Sequence, residues 1–350
     1  MFKFNIINNI LTRNNADAFL ITSDINRFWL TGFESSFGFV LALKDKIYLI
    51  LDMRYYEKAK NQLNLVNVEL VVFKSKKQVA ELISELQIKK LIVEKEYFLF
   101  DDYLFYKYVV DEFVLFATDV MRIQKEEIEI NYMQTAANIA CETLEWIKKQ
   151  NLIGLTEIKV ANMITNHMLS LGASKNSFDP IVASGVNGAY PHHKPSDKVI
   201  NNDEFVTIDI GCVYNGYCSD ITRTFAIGTP DMKLVHAYNK VLEANEAGIK
   251  AIKHKINGNQ VDLVCRKIID DSEFKGYFNH GTGHGVGINV HELPNVAPGY
   301  DRPLEHNSVV TIEPGIYIPN LGGIRIEDMV LVKKDNNHVV LTKNASKQIY

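Results

Sequence analysis

VTIDIGCVYNGYCSDITRTF, residues 206–225, decides how the C-terminal part of this 350-residue chain folds. Two β-branched, apolar runs flank Asn215-Gly216, a pair suited to a tight hairpin because both central residues can take positive φ. With that turn, Tyr214 pairs with Tyr217, Asp209 lies opposite Thr222, and Asp220 lies opposite Gly211. Both aspartates then project from one face as diagonal neighbours, roughly 7 Å apart at Cβ. A slip of one residue would send them to opposite faces. The hairpin thus carries two carboxylates into buried strand, which is costly for an ionised acid without a cation or tight hydrogen bonding.

Three more residues extend the pattern. Glu313 lies in VVTIEPG, where Pro314 stops the strand. Glu327 lies in GIRIED, where period-2 alternation puts it on the same face of the last hairpin as Arg325. His284 lies in HGTGHGVGINVHE (280–292) and adds one nitrogen donor. Four carboxylates and one imidazole form a hard, oxygen-rich set suited to manganese, cobalt, zinc or iron rather than to a thiolate-type structural zinc. The set reads as a two-metal hydrolytic centre.

The rest of the chain frames that centre. Its length favours two domains. Up to about residue 120, strand-like runs at 18–22, 38–43, 46–52, 68–73, 90–94 and 113–118 alternate with helical patterns such as RYYEKAKNQL and KKQVAELISELQ, which predicts an α/β domain with a mixed sheet. Then comes a long amphipathic helix, with Ile128, Tyr132, Ala136, Ile139, Thr143 and Trp146 on one stripe. A second helix starts at Thr156 and stops at Gly172. Strands follow, then helices near 231–255 and 260–271, then strands again. This order, helix-helix-sheet twice over, predicts an α+β domain with helices on one face of a largely antiparallel sheet. The expected domains are 1–121 and 122–350.

Hydrophobic residues make up 47% of the chain, charged residues 23%, and the formal net charge is −4. That balance gives no electrostatic footprint for nucleic acid or an anionic membrane. No apolar run reaches the roughly 18 residues of a membrane span, and the Asn-rich N-terminus does not fit a signal peptide. Cys141, Cys212, Cys218 and Cys265 read as free buried thiols in a reducing cytoplasm, although Cys212 and Cys218 could face each other across the hairpin.

The motifs together resemble the proline peptidases, the pita-bread metallopeptidases that include Xaa-Pro aminopeptidase and Xaa-Pro dipeptidase. HGTGHGVGINVHE is similar to their signature, and the blocks holding Asp209, Asp220, Glu313 and Glu327 resemble the others, over about residues 122–345. NRFWLTGF (26–33) and LDMRYYEKA (51–59) resemble the creatinase-like N-terminal domain, which methionine aminopeptidases lack. The resemblance implies that Asp209 chelates one metal, that Asp220 and Glu327 bridge two divalent ions, manganese first, and that His284 and Glu313 complete the second. It implies catalytic roles for His192, His291 and Glu313, and substrate contacts for His192, His280, His291 and Arg325. His193 adjoins His192, so which of the two faces the cleft is open. The implied substrates are proline-containing peptides. The implied assembly is a homodimer, with one subunit's N-terminal domain near the other's cleft. The expected function is a dinuclear Xaa-Pro aminopeptidase, with a dipeptidase on the same scaffold as the alternative. A non-catalytic binding protein or a metal-free, creatinase-like hydrolase would not need all five ligands.

Overall fold

The computed structural model describes residues 2–63 and 67–350. Contacts divide the chain into two units, Met1–Arg122 and Ile123–Tyr350.

The first unit is built on a six-stranded sheet. Its order is Val68–Val72, Ile47–Leu51, Phe39–Ala42, Ala18–Ile21, Lys90–Glu94 and Glu112–Phe116. The strand Phe39–Ala42 is antiparallel to both neighbours and the other pairs are parallel, so the sheet is mixed. Helices Met53–Gln62 and Lys76–Glu85 stand where the periodicity predicts them. Three further helices, Phe2–Asn14, Asp24–Thr31 and Phe100–Tyr106, have no counterpart in the sequence reading. The first is rich in Asn, a poor helix former, and is held by burying Ile7, Ile10 and Leu11. The second is set by its ends: Ser23 accepts from the Asn26 N–H, and Gly32 closes the helix at φ 70°.

In the second unit every strand pairing is antiparallel. Helices Glu127–Lys148 and Glu157–Ser170 precede the first group of strands, and Met232–Ala251 and Gly258–Asp270 precede the second. On the long helix Ala136, Ile139 and Thr143 are buried as expected. Ile128 is exposed, and the buried stripe runs through Met133, Ala136, Ala140, Leu144 and Ile147. Tyr132 and Trp146 sit on its margin, where their rings meet Tyr217 and His167. Thr156 caps the next helix by accepting from the Lys159 N–H. On the third, Leu234, Ala237, Val241 and Ala244 are buried as expected. That helix ends at Ala251, short of Lys255.

No helix among the described residues is long and apolar enough to cross a membrane. All four cysteines are free and buried. Cys218 pairs across the hairpin with Val213, not with Cys212.

Candidate metal centre

Two long, interrupted hairpins build the site. In the first, Tyr214 pairs with Tyr217 around Asn215-Gly216, whose φ values are 47° and 84°. Both positive angles fit the type I′ geometry that this dipeptide favours. The same register carries to Asp209 opposite Thr222, so Gly211 faces Asp220. There the ladder breaks, and the strands Glu204–Ile210 and Cys212–Tyr214 join different sheets. A Cβ on Gly211 would lie 1.9 Å from the Ser219 carbonyl oxygen, so only glycine allows this approach.

In the second hairpin, Gly315 pairs with Arg325 and Ile312 with Asp328. Glu313 therefore faces Glu327, again at a break between two sheets. Glu327 lies beyond the last paired residue of the hairpin strand Gly322–Arg325, between sheets, and still lines the same cleft as Arg325.

The breaks free backbone groups, and donors from outside the hairpins take them up. The Ser177 N–H donates to the Gly211 carbonyl at 3.0 Å, and its hydroxyl donates to the Ser219 carbonyl at 2.8 Å. Asn245, buried on the third helix, donates to the carbonyls of Ile312 at 2.8 Å and Ile326 at 3.3 Å. These are the residues just before Glu313 and Glu327.

The side chains of Asp209, Asp220, His284, Glu313 and Glu327 line one cleft of about 480 Å³. Ligand atoms of Asp220, His284 and Glu327 all lie within 4.8 Å of one another. His284 Nδ1–H donates to the Gly285 carbonyl at 3.1 Å, which turns Nε2 toward the carboxylates. Nε2 stands 3.3 Å from Glu313 and 3.6 Å from Asp220. At that distance a cation, either a proton on Nε2 or a metal ion, stands between the imidazole and the carboxylates. Asp209 makes the same case, because its Oδ1 is buried with no hydrogen-bond partner among the described residues.

Electrostatics agree with the geometry. Burial pushes the carboxyls of Asp209, Asp220 and Glu327 above the ordinary range, and neighbouring acids push Asp220 and Glu327 further. Burial acts the same way on Glu313, but the His284 hydrogen bond and charge outweigh it and hold that carboxyl at about 2. Burial would lower His284, yet its contact with Glu313 raises it. These buried donors fit divalent ions.

The remaining expected residues divide into tied and free. Arg325 Nη2 donates to Asp209 Oδ2 at 2.7 Å, Nη1 to the Tyr317 hydroxyl at 3.0 Å, and Nε to Thr222 at 3.1 Å. Thr222 in turn donates to Glu327 at 2.7 Å. His280 Nδ1 donates to the Gly281 carbonyl at 2.8 Å, and its Nε2 accepts from Tyr317 at 2.9 Å. Arg325 and His280 thus reach the cleft wall with their polar atoms committed inside it. His291 packs edge-on against His284 with ring centroids 4.1 Å apart, and burial, then the nearby His284, lowers its pKa. His192 is exposed on the cleft wall, whereas His193 Nε2 is bonded to buried Glu157 at 2.7 Å.

Sequence reasoning missed Tyr317, Asn245, Ser177, Glu157 and Lys194. Only Tyr317 carried a signal, since it lies four residues beyond Glu313 within TIEPGIY.

Comparison with known proteins places the chain. The profile of metallopeptidase family M24 matches residues 131–334, and that of the creatinase/prolidase N-terminal domain matches residues 6–123. A Mycoplasma genitalium protein, provisionally named a Xaa-Pro aminopeptidase, is 47% identical over 337 residues, covering 96% of this chain and 95% of its own. The solved Xaa-Pro dipeptidase from Bacillus anthracis superposes with a TM-score of 0.94 at 38% identity, covering 99% of this chain and 98% of its own. The X-Pro aminopeptidase structure from Thermotoga maritima MSB8 gives 0.87 at 33% identity, covering 94% and 96%. The chain belongs to metallopeptidase family M24: it is a peptide-bond hydrolase of the Xaa-Pro peptidase type, in which a creatinase/prolidase N-terminal unit is followed in sequence by a divalent-metal pita-bread unit.

Proposed function

We propose that this protein is a dinuclear Xaa-Pro aminopeptidase, which cleaves the bond between an N-terminal residue and proline. The observation that carries this reading is the convergence of Asp209, Asp220, His284, Glu313 and Glu327 on one cleft, with donor atoms left facing one another. Asp209 would hold one ion, His284 and Glu313 the other, and Asp220 and Glu327 both, with manganese first and cobalt, zinc or iron as alternatives. Bound there, the ions would supply Lewis acidity and lower the pKa of a bound water.

The chain's own residues do the rest. Glu313 stays ionised at neutral pH, accepts the proton of the attacking water and passes it to the proline nitrogen as that nitrogen leaves. His291 is neutral at pH 7 and donates its N–H to the oxygen that becomes negative in the transition state. His192 holds the peptide from the other wall. Proline's amide offers no N–H, so recognition is by shape; the tied pair of His280 and Tyr317 gives the pocket a fixed edge. Arg325 orients Asp209 rather than the substrate.

A dipeptidase is the second reading. The match to the Bacillus anthracis dipeptidase and an exposed lysine on the cleft wall favour it. The test is peptide cleavage by chelator-stripped protein with single metals restored. An aminopeptidase cleaves both Xaa-Pro and Xaa-Pro-Xaa, while a strict dipeptidase leaves the longer peptide intact. Cleavage of neither peptide with any metal would overturn the proposal. A cytoplasmic homodimer completes the reading, with four free thiols suiting a reducing compartment.

A further inference from the structure

The charges lining the cleft fall into two groups. Asp209, Asp220, Glu313, Glu327 and Arg325 are neutralised or committed around the metal centre. Asp179 and Lys194 are exposed on the wall, and neither has a hydrogen-bond or ion-pair partner among the described residues. They do not pair with each other. Among the described residues Lys194 is therefore the free cation of a cleft whose other fixed charges are mostly acidic.

Its backbone is held on both sides. His193 Nε2 bonds to Glu157 Oε2 at 2.7 Å, and the Ser196 N–H and hydroxyl reach the same oxygen at 3.1 and 2.7 Å. Oε1 of Glu157 accepts from the Ser184 N–H at 2.8 Å and from Asn187 at 3.0 Å, so one buried carboxylate staples the loop at several points. Pro195 adds a local constraint, because the residue before a proline is confined to extended conformations. A lysine on so fixed a loop loses less freedom when it takes a partner than one on a mobile loop.

Resting on the Xaa-Pro reading above, we infer that Lys194 is a specificity-determining residue that binds the free carboxylate of a short peptide substrate. Arg325 cannot take that role without releasing Asp209. Asp179, of like charge to the carboxylate, disfavours the opposite placement. The site then favours a peptide ending at or near its proline over one whose terminus is blocked, without a steric bar to longer chains.

The experiment compares the manganese-loaded protein and its Lys194→Gln variant on two substrates, an Xaa-Pro dipeptide and the same dipeptide with a C-terminal amide. The native protein should show a lower KM for the free acid. In Lys194→Gln the ratio of the two KM values should fall toward one, with a roughly fivefold rise in KM for the acid, equivalent to about 1 kcal/mol. Lys194→Arg should restore the preference, and added salt should weaken it in the native protein. A native protein that cleaves acid and amide equally well, or a ratio that survives Lys194→Gln, overturns this inference and leaves the peptidase reading intact. A native protein that cleaves neither overturns both.

Discussion

Replacing Arg325 with methionine separates two views of the guanidinium. If it merely neutralises acids, its loss should draw cations in more strongly. If it orients Asp209, its loss should weaken metal binding. The hydrogen bonds favour the second view, since Nη2, Nη1 and Nε hold Asp209, Tyr317 and Thr222 at 2.7, 3.0 and 3.1 Å. Tyr317 in turn fixes His280, and Thr222 fixes Glu327. Removing one partner of a buried ion pair costs about 3–5 kcal/mol. Here Asp209 can take a proton instead. At pH 7, about three units above an ordinary aspartate pKa, that costs about 4 kcal/mol at 1.36 kcal/mol per unit, which sets the ceiling. We expect the metal-stripped variant to lose about 2–4 kcal/mol of unfolding free energy in urea. Loss of a group that orients a ligand should also weaken metal binding by about 10–100-fold in calorimetric titration. Arg325→Met protein that binds metal as tightly as the native protein, or more tightly, would refute the orienting role.

Two further substitutions probe the supports of the site. Burial alone would raise the Glu157 carboxyl, but the bonds from His193, Ser184, Ser196 and Asn187 bring it from 4.5 down to about 2. A depressed carboxyl stabilises the fold fully above its unfolded value and loses that contribution as pH falls toward the folded value. The native protein should therefore lose about 3 kcal/mol from this group between pH 5 and pH 2. The gap in urea stability between native and Glu157→Gln protein should narrow over that range, and a gap equal at pH 6 and pH 3 would contradict the assignment. Asn245→Leu keeps the branching and heavy-atom count but strands the carbonyls of Ile312 and Ile326 and removes an acceptor of Lys347. At about 1–3 kcal/mol per orphaned group, we expect a loss of about 2–4 kcal/mol by chemical denaturation. A loss below 1 kcal/mol would mean that those carbonyls find other donors.

The first hairpin was legible because Asn215-Gly216 admits one turn geometry, and period-2 alternation then leaves no freedom in where Asp209 and Asp220 point. The acids announced themselves by standing in apolar runs. Helix faces were partly legible: Ala136, Ile139 and Thr143 are buried as the stripe predicts, but Ile128 at its start is exposed and Met133 and Ala140 widen the buried face, because what packs against a helix decides which side is inside. The helix Phe2–Asn14 was hidden by its asparagines, and Phe100–Tyr106 by aromatic residues that fit strands as well. Tyr317, Asn245, Ser177, Glu157 and Lys194 act only through tertiary neighbours. A mid-helix asparagine or a lysine beside a proline carries no local mark of such a role.

The breaks explain why two hairpins are needed and why they break where they do. On an intact ladder an acid is flanked at fixed spacing by its cross-strand neighbours, and the backbone beside it has no spare hydrogen-bonding capacity. Interrupting the ladder at Gly211 and Asp220, and again at Glu313 and Glu327, lets each strand pass from one sheet to another. Four carboxylates and His284 can then approach across the gap. The exposed backbone groups need donors, and Ser177 and Asn245 supply them from opposite halves of the unit. The helix-helix-sheet order occurs twice, and each copy supplies one broken hairpin with an acid at the break. Opposite Asp220 the first hairpin has glycine, where close backbone approach leaves no room for a side chain; opposite Glu327 the second has Glu313. The two halves are thus alike in architecture and unlike in residues, and self-similarity is faint in the sequence because the repeated feature is a place where pairing stops.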